Sequence, residues 1–385
     1  MSSPYPHIEP YVRPEPTKED LEYAPLAALD VSKVPDWSKP EGKEELVNDL
    51  RRAIEEVGFF YVVGHGIKDL DVRRQLALAD AFFKQPVETK LQHPCEFEVG
   101  KYFGYRYPKE FYGAEGRLQS RTEMLNAAKD TPVLEDEYIE WDLLKPHRAE
   151  IKDFQQQVHS KILTPVLKLF ALLLELPETY FSDPHAFDQA TEDHLRYMLY
   201  SPYSAEEYAQ IGGQLSRGHT DFGLLTILFP QIINGLQVQT APGEYKWVKY
   251  IPDHVVVNTA EVLTYLTGGF VKSTVHRVIR PPNDQAKSNR LGLLYFSRVA
   301  NDYDVAIAPS PLLKRLGLYK VDPNPPKGLE WGRERVKHSH LKKIIEIEKP
   351  YEAFKFRDGQ YEVKLDYDSP AVESTPIKPS TAIAA

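Results

Sequence analysis

His219-Thr220-Asp221 sets an imidazole and a carboxylate two residues apart, and His276, in Ser273-Thr274-Val275-His276-Arg277-Val278, adds a second imidazole. Two imidazoles and one carboxylate can hold one face of an Fe(II) ion and leave its other positions open to a co-substrate and O₂. Arg290 then offers a planar, permanently charged fork for a carboxylate. Such a set describes an oxygenase site. The tripeptide alone is weak evidence, since a chain with 12 histidines yields about half a His-x-Asp by chance. Its setting strengthens it. The tripeptide opens Phe222-Gly223-Leu224-Leu225-Thr226-Ile227-Leu228-Phe229, an apolar run of strand length. His276 lies in a second such run, Thr274 to Ile279, closed by Pro281-Pro282. Two short strands facing each other across a barrel can bring together ligands that are distant in sequence.

The elements that must position these residues follow from periodicity. Leu46, Leu50, Ile54 and Val57 recur at helical spacing before Gly58, and Val72, Leu76, Ala79 and Phe83 do so before Pro86. Phe59 to Val63 reads as a strand between them. A long helix is expected from His147 to Leu176, with Phe154, Val158, Ile162, Val166 and Phe170 on one face and a bend at Pro165. Beyond Arg196 the pattern becomes six short strands, at 195–200, 223–229, 235–239, 254–258, 274–280 and 290–296. This order predicts a mainly β fold with α: a double-stranded β-helix (jelly roll) core packed by N-terminal helices. The expected organisation is a Pro-rich N-terminal arm at 1–23, a helical N-terminal region at 24–190, a jelly-roll core at 191–300, a packing segment at 301–366 and a disordered tail at 367–385.

Composition narrows the partners. The 385 residues are 42% hydrophobic and 27% charged, with a net charge of −9 and no long Lys/Arg cluster, so the footprint of a nucleic-acid binder is missing. The single cysteine, Cys95, excludes an intrachain disulfide framework and a cysteine-based zinc site. With no N-terminal apolar run for secretion and no stretch long enough to span a bilayer, the expectation is a cytoplasmic protein without membrane or nucleic-acid partners. The sequence does not set the oligomeric state. No Gly-x-Gly-x-x-Gly follows a strand, and Walker A, Gly-x-Ser-x-Gly and His-Glu-x-x-His motifs are absent. His65, in Gly64-His65-Gly66, follows a strand at a turn and reads as structural.

From about Ala24 to about Phe296 the chain resembles the Fe(II)/2-oxoglutarate-dependent dioxygenases of the isopenicillin N synthase-like superfamily. The resemblance rests on six ordered segments: Ala24 to Asp30, Gly58 to Ile67, Gly218-His219-Thr220-Asp221, Gly235-Leu236-Gln237-Val238, Val257-Asn258-Thr259-Ala260-Glu261 and Lys272 to Val278. It implies that His219, Asp221 and His276 are the iron ligands. It also implies that Arg290, with Tyr200 as a second donor, clamps the distal carboxylate of 2-oxoglutarate. Two departures bear on that clamp. The family's Arg-x-Ser reads Arg290-Leu291-Gly292, and its Asn-x-Tyr reads Met198-Leu199-Tyr200. A lost hydrogen bond to a charged group costs about 1.5–3 kcal/mol unless something replaces it.

The resemblance implies Fe(II), 2-oxoglutarate and O₂ as cofactor and co-substrates, with ascorbate in support. The reaction expected is hydroxylation or desaturation of a small organic metabolite, with release of succinate and CO₂. Two alternatives stay open: an iron oxidase of the same fold that does without 2-oxoglutarate, and a barrel that binds a small ligand without catalysis. For the substrate, Tyr102, Phe103 and Tyr105 from the aromatic stretch before the core, with Phe222, Leu224 and Phe296 from the barrel, are expected to form a largely apolar wall. Arg106 offers a contact for a substrate carboxylate.

Overall fold

The computed structural model describes residues 4–108, 110–113, 116–341, 351–357 and 361–366; the tail expected from 367 lies outside the described residues. Strands of the N-terminal part are β1 (Ala28–Asp30), β2 (Phe59–Val63), β3 (Gly104–Arg106), β4 (Glu110–Gly113), β5 (Gly116–Gln119) and β6 (Thr122–Ala128). There follow β7 (His194–Tyr200), β8 (Gln214–His219), β9 (Leu225–Leu228), β10 (Leu236–Ala241), β11 (Glu244–Trp247) and β12 (Val255–Thr259). The last are β13 (His276–Ile279), β14 (Arg290–Ser297), β15 (Tyr351–Phe356) and β16 (Tyr361–Asp366). Eight of them make a major sheet in the order β1-β2-β12-β9-β14-β7-β6-β3, and four make a minor sheet, β11-β10-β13-β8. The pairs β4-β5 and β15-β16 are separate hairpins. The architecture is the expected jelly roll with helices against one side. Four of the eight major strands come from before residue 130, so the sheet is not built from 191–300 alone.

Helices α1 (Lys43–Glu56) and α2 (Asp69–Phe83) lie where the spacing places them. Helix α1 gives way to β2 through Gly58, whose φ of +78° favours glycine. The long helix expected over 147–176 is instead divided. After a single turn, α3 (Val87–Lys90), come α4 (Arg148–Val158), a π-helical turn over His159–Leu163 and α5 (Thr164–Leu173). Pro165 has no N–H to give and its ring crowds the preceding turn, so the wider turn before it absorbs the mismatch. Shorter helices are α6 (Ala205–Gln210), α7 (Glu261–Leu266) and α8 (Pro311–Arg315), and α9 (Gly328–Leu341) closes the barrel side.

Strand alternation sorts the major sheet into two faces. Leu195, Tyr197 and Leu199 of β7, Leu291, Leu293 and Tyr295 of β14, and Phe60 and Val62 of β2 belong to the large core shared with the helices. The residues between them turn to the minor sheet. Register carries these inward residues into continuous rows. One runs Phe59–Asn258–Thr226–Phe296–His194 across β2, β12, β9, β14 and β7. The next runs Tyr61–Val256–Leu228–Leu294–Arg196–Asn126. A third contains Gly292, Met198, Met124 and Arg106, and a fourth Arg290, Tyr200 and Thr122.

Candidate active site

His219 ends β8 and His276 begins β13, and the two are direct partners across these antiparallel strands. His219 therefore closes a strand of its own and does not open the run that follows, as the sequence pattern had suggested. Pairing sets the imidazoles 4.4 Å apart, centroid to centroid. Asp221, just beyond the end of β8, brings Oδ1 to 4.0 Å from His219 Nε2 and 3.8 Å from His276 Nε2. One donor atom from each of the three lies within 4.8 Å of the others. This is a set that could hold one metal ion.

Neighbours fix which atoms are offered. His219 Nδ1 is 2.8 Å from the Arg217 carbonyl and His276 Nδ1 is 3.2 Å from the Thr274 carbonyl. Each Nδ1 thus carries the proton and donates it to a carbonyl, which leaves Nε2 with a free lone pair. Asp221 Oδ2 accepts from Thr226 Oγ1 at 2.7 Å and Asn258 Nδ2 at 2.9 Å, leaving Oδ1 for the ion. Thr226 and Asn258 are adjacent in the first row of the major sheet, whose Phe59 meets the His276 ring edge-on at 5.3 Å. Burial pushes the Asp221 carboxyl up, but the facing His276 and His219 and the two hydrogen bonds outweigh it and bring it down to about 2. Burial, reinforced by His219, lowers His276 to about 4 against the pull of Asp221, so the ring is neutral at physiological pH and suited to a cation. Thr220, between the first two ligands, donates to Glu261 Oε1 at 2.6 Å. Glu261 is in turn paired with Arg335 of α9 at 2.9 and 3.1 Å, both side chains being 1% exposed.

The three donors sit in a cavity of about 290 Å³ between the sheets. Its far row holds Arg290, which is buried, stacks over the ring of Tyr200 at 5.2 Å and donates from Nε to the Ile233 carbonyl at 3.1 Å. Burial lowers the Arg290 pKa and raises that of Tyr200, and the nearness of each opposes the shift of the other. Beside them Gly292 leaves room: a Cβ there would meet Gln231, Leu294 and Met198 at 3.5 Å, ordinary contact. Gln231 Oε1 is buried in this wall without a hydrogen-bond partner.

The expected substrate wall is only partly present. Tyr102 and Phe296 line the cavity, as does Arg106. Tyr105 does not: it faces the helices, packs on Phe82 and donates to Glu123, because it shares the outward parity of Leu125 and Tyr197. Phe103 is buried against the edge of His194 outside the cavity lining. Leu224 belongs to the helix-side core, and Phe222 lies under the guanidinium of Arg335 at 4.3 Å. Sequence reasoning passed over Arg196, Met198, Thr226 and Asn258 as cavity residues. Parity would have found two of them: with Tyr200 inward on β7, Met198 and Arg196 must be inward too.

Residues 26–149 match the family described as non-haem dioxygenase in morphine synthesis N-terminal, and residues 193–298 match the 2OG-Fe(II) oxygenase superfamily. The 2-oxoglutarate-dependent dioxygenase citB of Monascus ruber is 31% identical over 292 residues, which cover 72% of this chain and 86% of that protein. Clavatol oxidase claD of Penicillium crustosum is 30% identical over 310 residues, covering 74% and 88%. Among solved structures, Neurospora crassa T7H in complex with alpha-KG and thymine superposes with a TM-score of 0.68 at 22% identity, covering 82% of this chain and 97% of that one. That likeness is one of fold. Matching segments over both halves, relatives at this identity and a His/Asp/His cluster at the mouth of a jelly-roll cavity lead to one conclusion: the chain belongs to the 2OG-Fe(II) oxygenase superfamily and is a non-haem Fe(II)- and 2-oxoglutarate-dependent dioxygenase.

Proposed function

We propose that His219, Asp221 and His276 hold the Fe(II), that Arg290 and Tyr200 seat the far carboxylate of 2-oxoglutarate, and that the enzyme hydroxylates or desaturates a compact small metabolite. One observation carries this reading: three metal-type donors stand at one end of a cavity whose far row presents a buried arginine with no carboxylate partner among the described residues. Together, bound Fe(II) and 2-oxoglutarate supply the oxidising chemistry, in which O₂ and 2-oxoglutarate give succinate and CO₂ as a C–H bond is oxidised. The chain's part is placement and exclusion. Carbonyls of Arg217 and Thr274 orient the two rings. Thr226 and Asn258 occupy Asp221 Oδ2, so that residue would offer the ion one oxygen beside one nitrogen from each histidine. Leu228, Leu294, Met198 and Met124 keep water from the reacting centre. The missing hydroxyl at Gly292 leaves Arg290 and Tyr200 as the donors to the carboxylate.

A small molecule, not a nucleic acid, is the substrate in this reading, in keeping with the net charge of −9. Among the described residues no helix is long and apolar enough to cross a membrane; a cytoplasmic setting is part of the same proposal. The test is succinate formation from 2-oxoglutarate by the purified protein with Fe(II) and ascorbate, compared with Asp221→Ala. Turnover in the parent and none in the variant is expected. Equal succinate from both would remove the triad from the proposal.

A further inference from the structure

Three arginines, Arg106, Arg196 and Arg290, line the cavity, and Asp221 is the one carboxylate among its lining residues. The ion's two positive charges and Arg290 balance Asp221 and the 2-oxoglutarate dianion. Arg196 and Arg106 remain. A guanidinium held away from water without an anion is costly, and a ligand that brings one is favoured by the same amount.

Arg196 is 7% exposed and firmly held, yet every partner it has among the described residues is neutral. Its Nε donates to Asn126 Oδ1 at 2.6 Å, and Nη2 lies 3.3 Å from His194 Nε2. The rings of Phe296 and Tyr102 are 4.1 and 4.8 Å from its carbon centre. His194 cannot supply a negative charge, and burial together with Arg196 and Arg298 keeps it uncharged. Its Nδ1 donates to the Glu192 carbonyl at 3.0 Å, so Nε2 is the acceptor that Arg196 requires. Neutral groups therefore fix the fork without neutralising it, and Nη1 has no partner among the described residues. Arg196 stands one row from the Asn258–Thr226 row that holds Asp221, whereas Arg290 stands three rows away. Arg106 flanks it diagonally across β6, its one hydrogen bond among the described residues going to Met124 Sδ at 3.8 Å and its buried Nε having no acceptor among them.

We infer that the substrate is an aromatic carboxylic acid whose carboxylate is seated by Arg196, with Arg106 beside it, and whose ring lies along Tyr102 and Phe296. This rests on the placement of Fe(II) and 2-oxoglutarate proposed above.

The test uses the purified full chain loaded anaerobically with Fe(II) and saturating 2-oxoglutarate. Binding of three acids, 1-naphthoate, phenylacetate and salicylate, is compared by titration with that of their neutral amides. At least one acid is expected to bind about ten-fold or more tighter than its amide, the worth of a charged hydrogen-bonded pair. Arg196→Gln removes that preference while leaving amide binding and the 2-oxoglutarate–Fe(II) absorbance band in place. Arg196→Lys, which keeps the charge without the planar fork, retains part of it, and Arg106→Gln weakens it by a smaller factor. No preference in the parent for any pair overturns the inference, as does a preference untouched in Arg196→Gln. Should that variant not fold, an undiminished preference in both Arg196→Lys and Arg106→Gln overturns it. Loss of the band in Arg196→Gln with its retention in Arg290→Leu would exchange the roles of the two arginines and overturn it as well. Absence of the band in the parent instead strikes the proposed cofactor placement itself, and the inference falls with it.

Discussion

Strand β7 presents Arg196, Met198 and Tyr200 to the cavity and packs Leu195, Tyr197 and Leu199 against the helices. Its neighbour β14 does the same with Arg290, Gly292, Leu294 and Phe296 on one side and Leu291, Leu293 and Tyr295 on the other. The helix side is apolar and closed, and its two phenols are satisfied, Tyr197 by Gln75 at 2.7 Å and Tyr295 by Asp193 at 3.2 Å. The cavity side carries charges and donors whose proposed partners are ligands. Alternate residues of one strand thus divide stability from chemistry, and a substitution's effect depends on parity more than on distance along the chain.

Breaking the cavity side at the ion gives the largest effect. His276→Ala is expected to abolish iron retention and succinate formation while the melting temperature of the iron-free protein stays near that of the parent; turnover by this variant would refute the division. On the opposite side, Leu293→Ala should cost about 2–5 kcal/mol of stability by leaving a cavity in the core. Denaturant unfolding measures it, and iron and 2-oxoglutarate affinities below the transition should be unchanged. Arg290→Leu is expected to weaken 2-oxoglutarate by roughly 2–5 kcal/mol, about thirty-fold or more, since a buried carboxylate loses its charged partner; an unaltered KM for 2-oxoglutarate would count against the clamp.

Acid sharpens the comparison from the helix side. Burial lowers the pKa of His159 and His185, which pack there between α4, α5 and the segment before β7. Both are neutral in the fold, whereas the unfolded chain protonates near the ordinary value of about 6.5. Their contribution is therefore fully present above that pH and is lost as pH falls toward the lowered folded values. Melting temperatures at pH 7.5 and 5.5 should show the fall, and His159→Gln should make it shallower. The smallest effect is expected of Gly292→Ser, which has room and returns a hydroxyl beside Gln231. It should tighten 2-oxoglutarate modestly without lowering the melting temperature.

Local signals in the sequence were the readable ones. His219, Asp221 and His276 stand out because the His-x-Asp spacing and, for His276, the strand that carries it are written in a few consecutive residues. Strand β6, Thr-Glu-Met-Leu-Asn-Ala-Ala, has the composition of a helix and becomes a strand only because β7 and β3 pair with it. Strand β8 is half-exposed and polar, Gln-Leu-Ser-Arg-Gly-His, so no apolar alternation announces it. Tyr105 and Leu224 were placed in the cavity wall on aromatic or apolar character, yet a shift of one residue reverses a strand's face. Arg196 carried no mark of its own. Its meaning comes from Asn126, His194 and Tyr102, which only the paired sheet brings around it.

The contact from Thr220 through Glu261 to Arg335 makes the order of synthesis matter. Segment 193–298 contains every candidate iron ligand, but Glu261 beneath them has its counter-charge on α9, which is synthesised after that segment. Until then a carboxylate sits under the tripeptide with no cation beside it, a situation that costs about 3–5 kcal/mol in a closed interior. In a nascent chain the candidate metal site therefore lacks this support until the helix at 328–341 has emerged, and a protein cut after residue 298 would hold the candidate ligands above an unpaired Glu261.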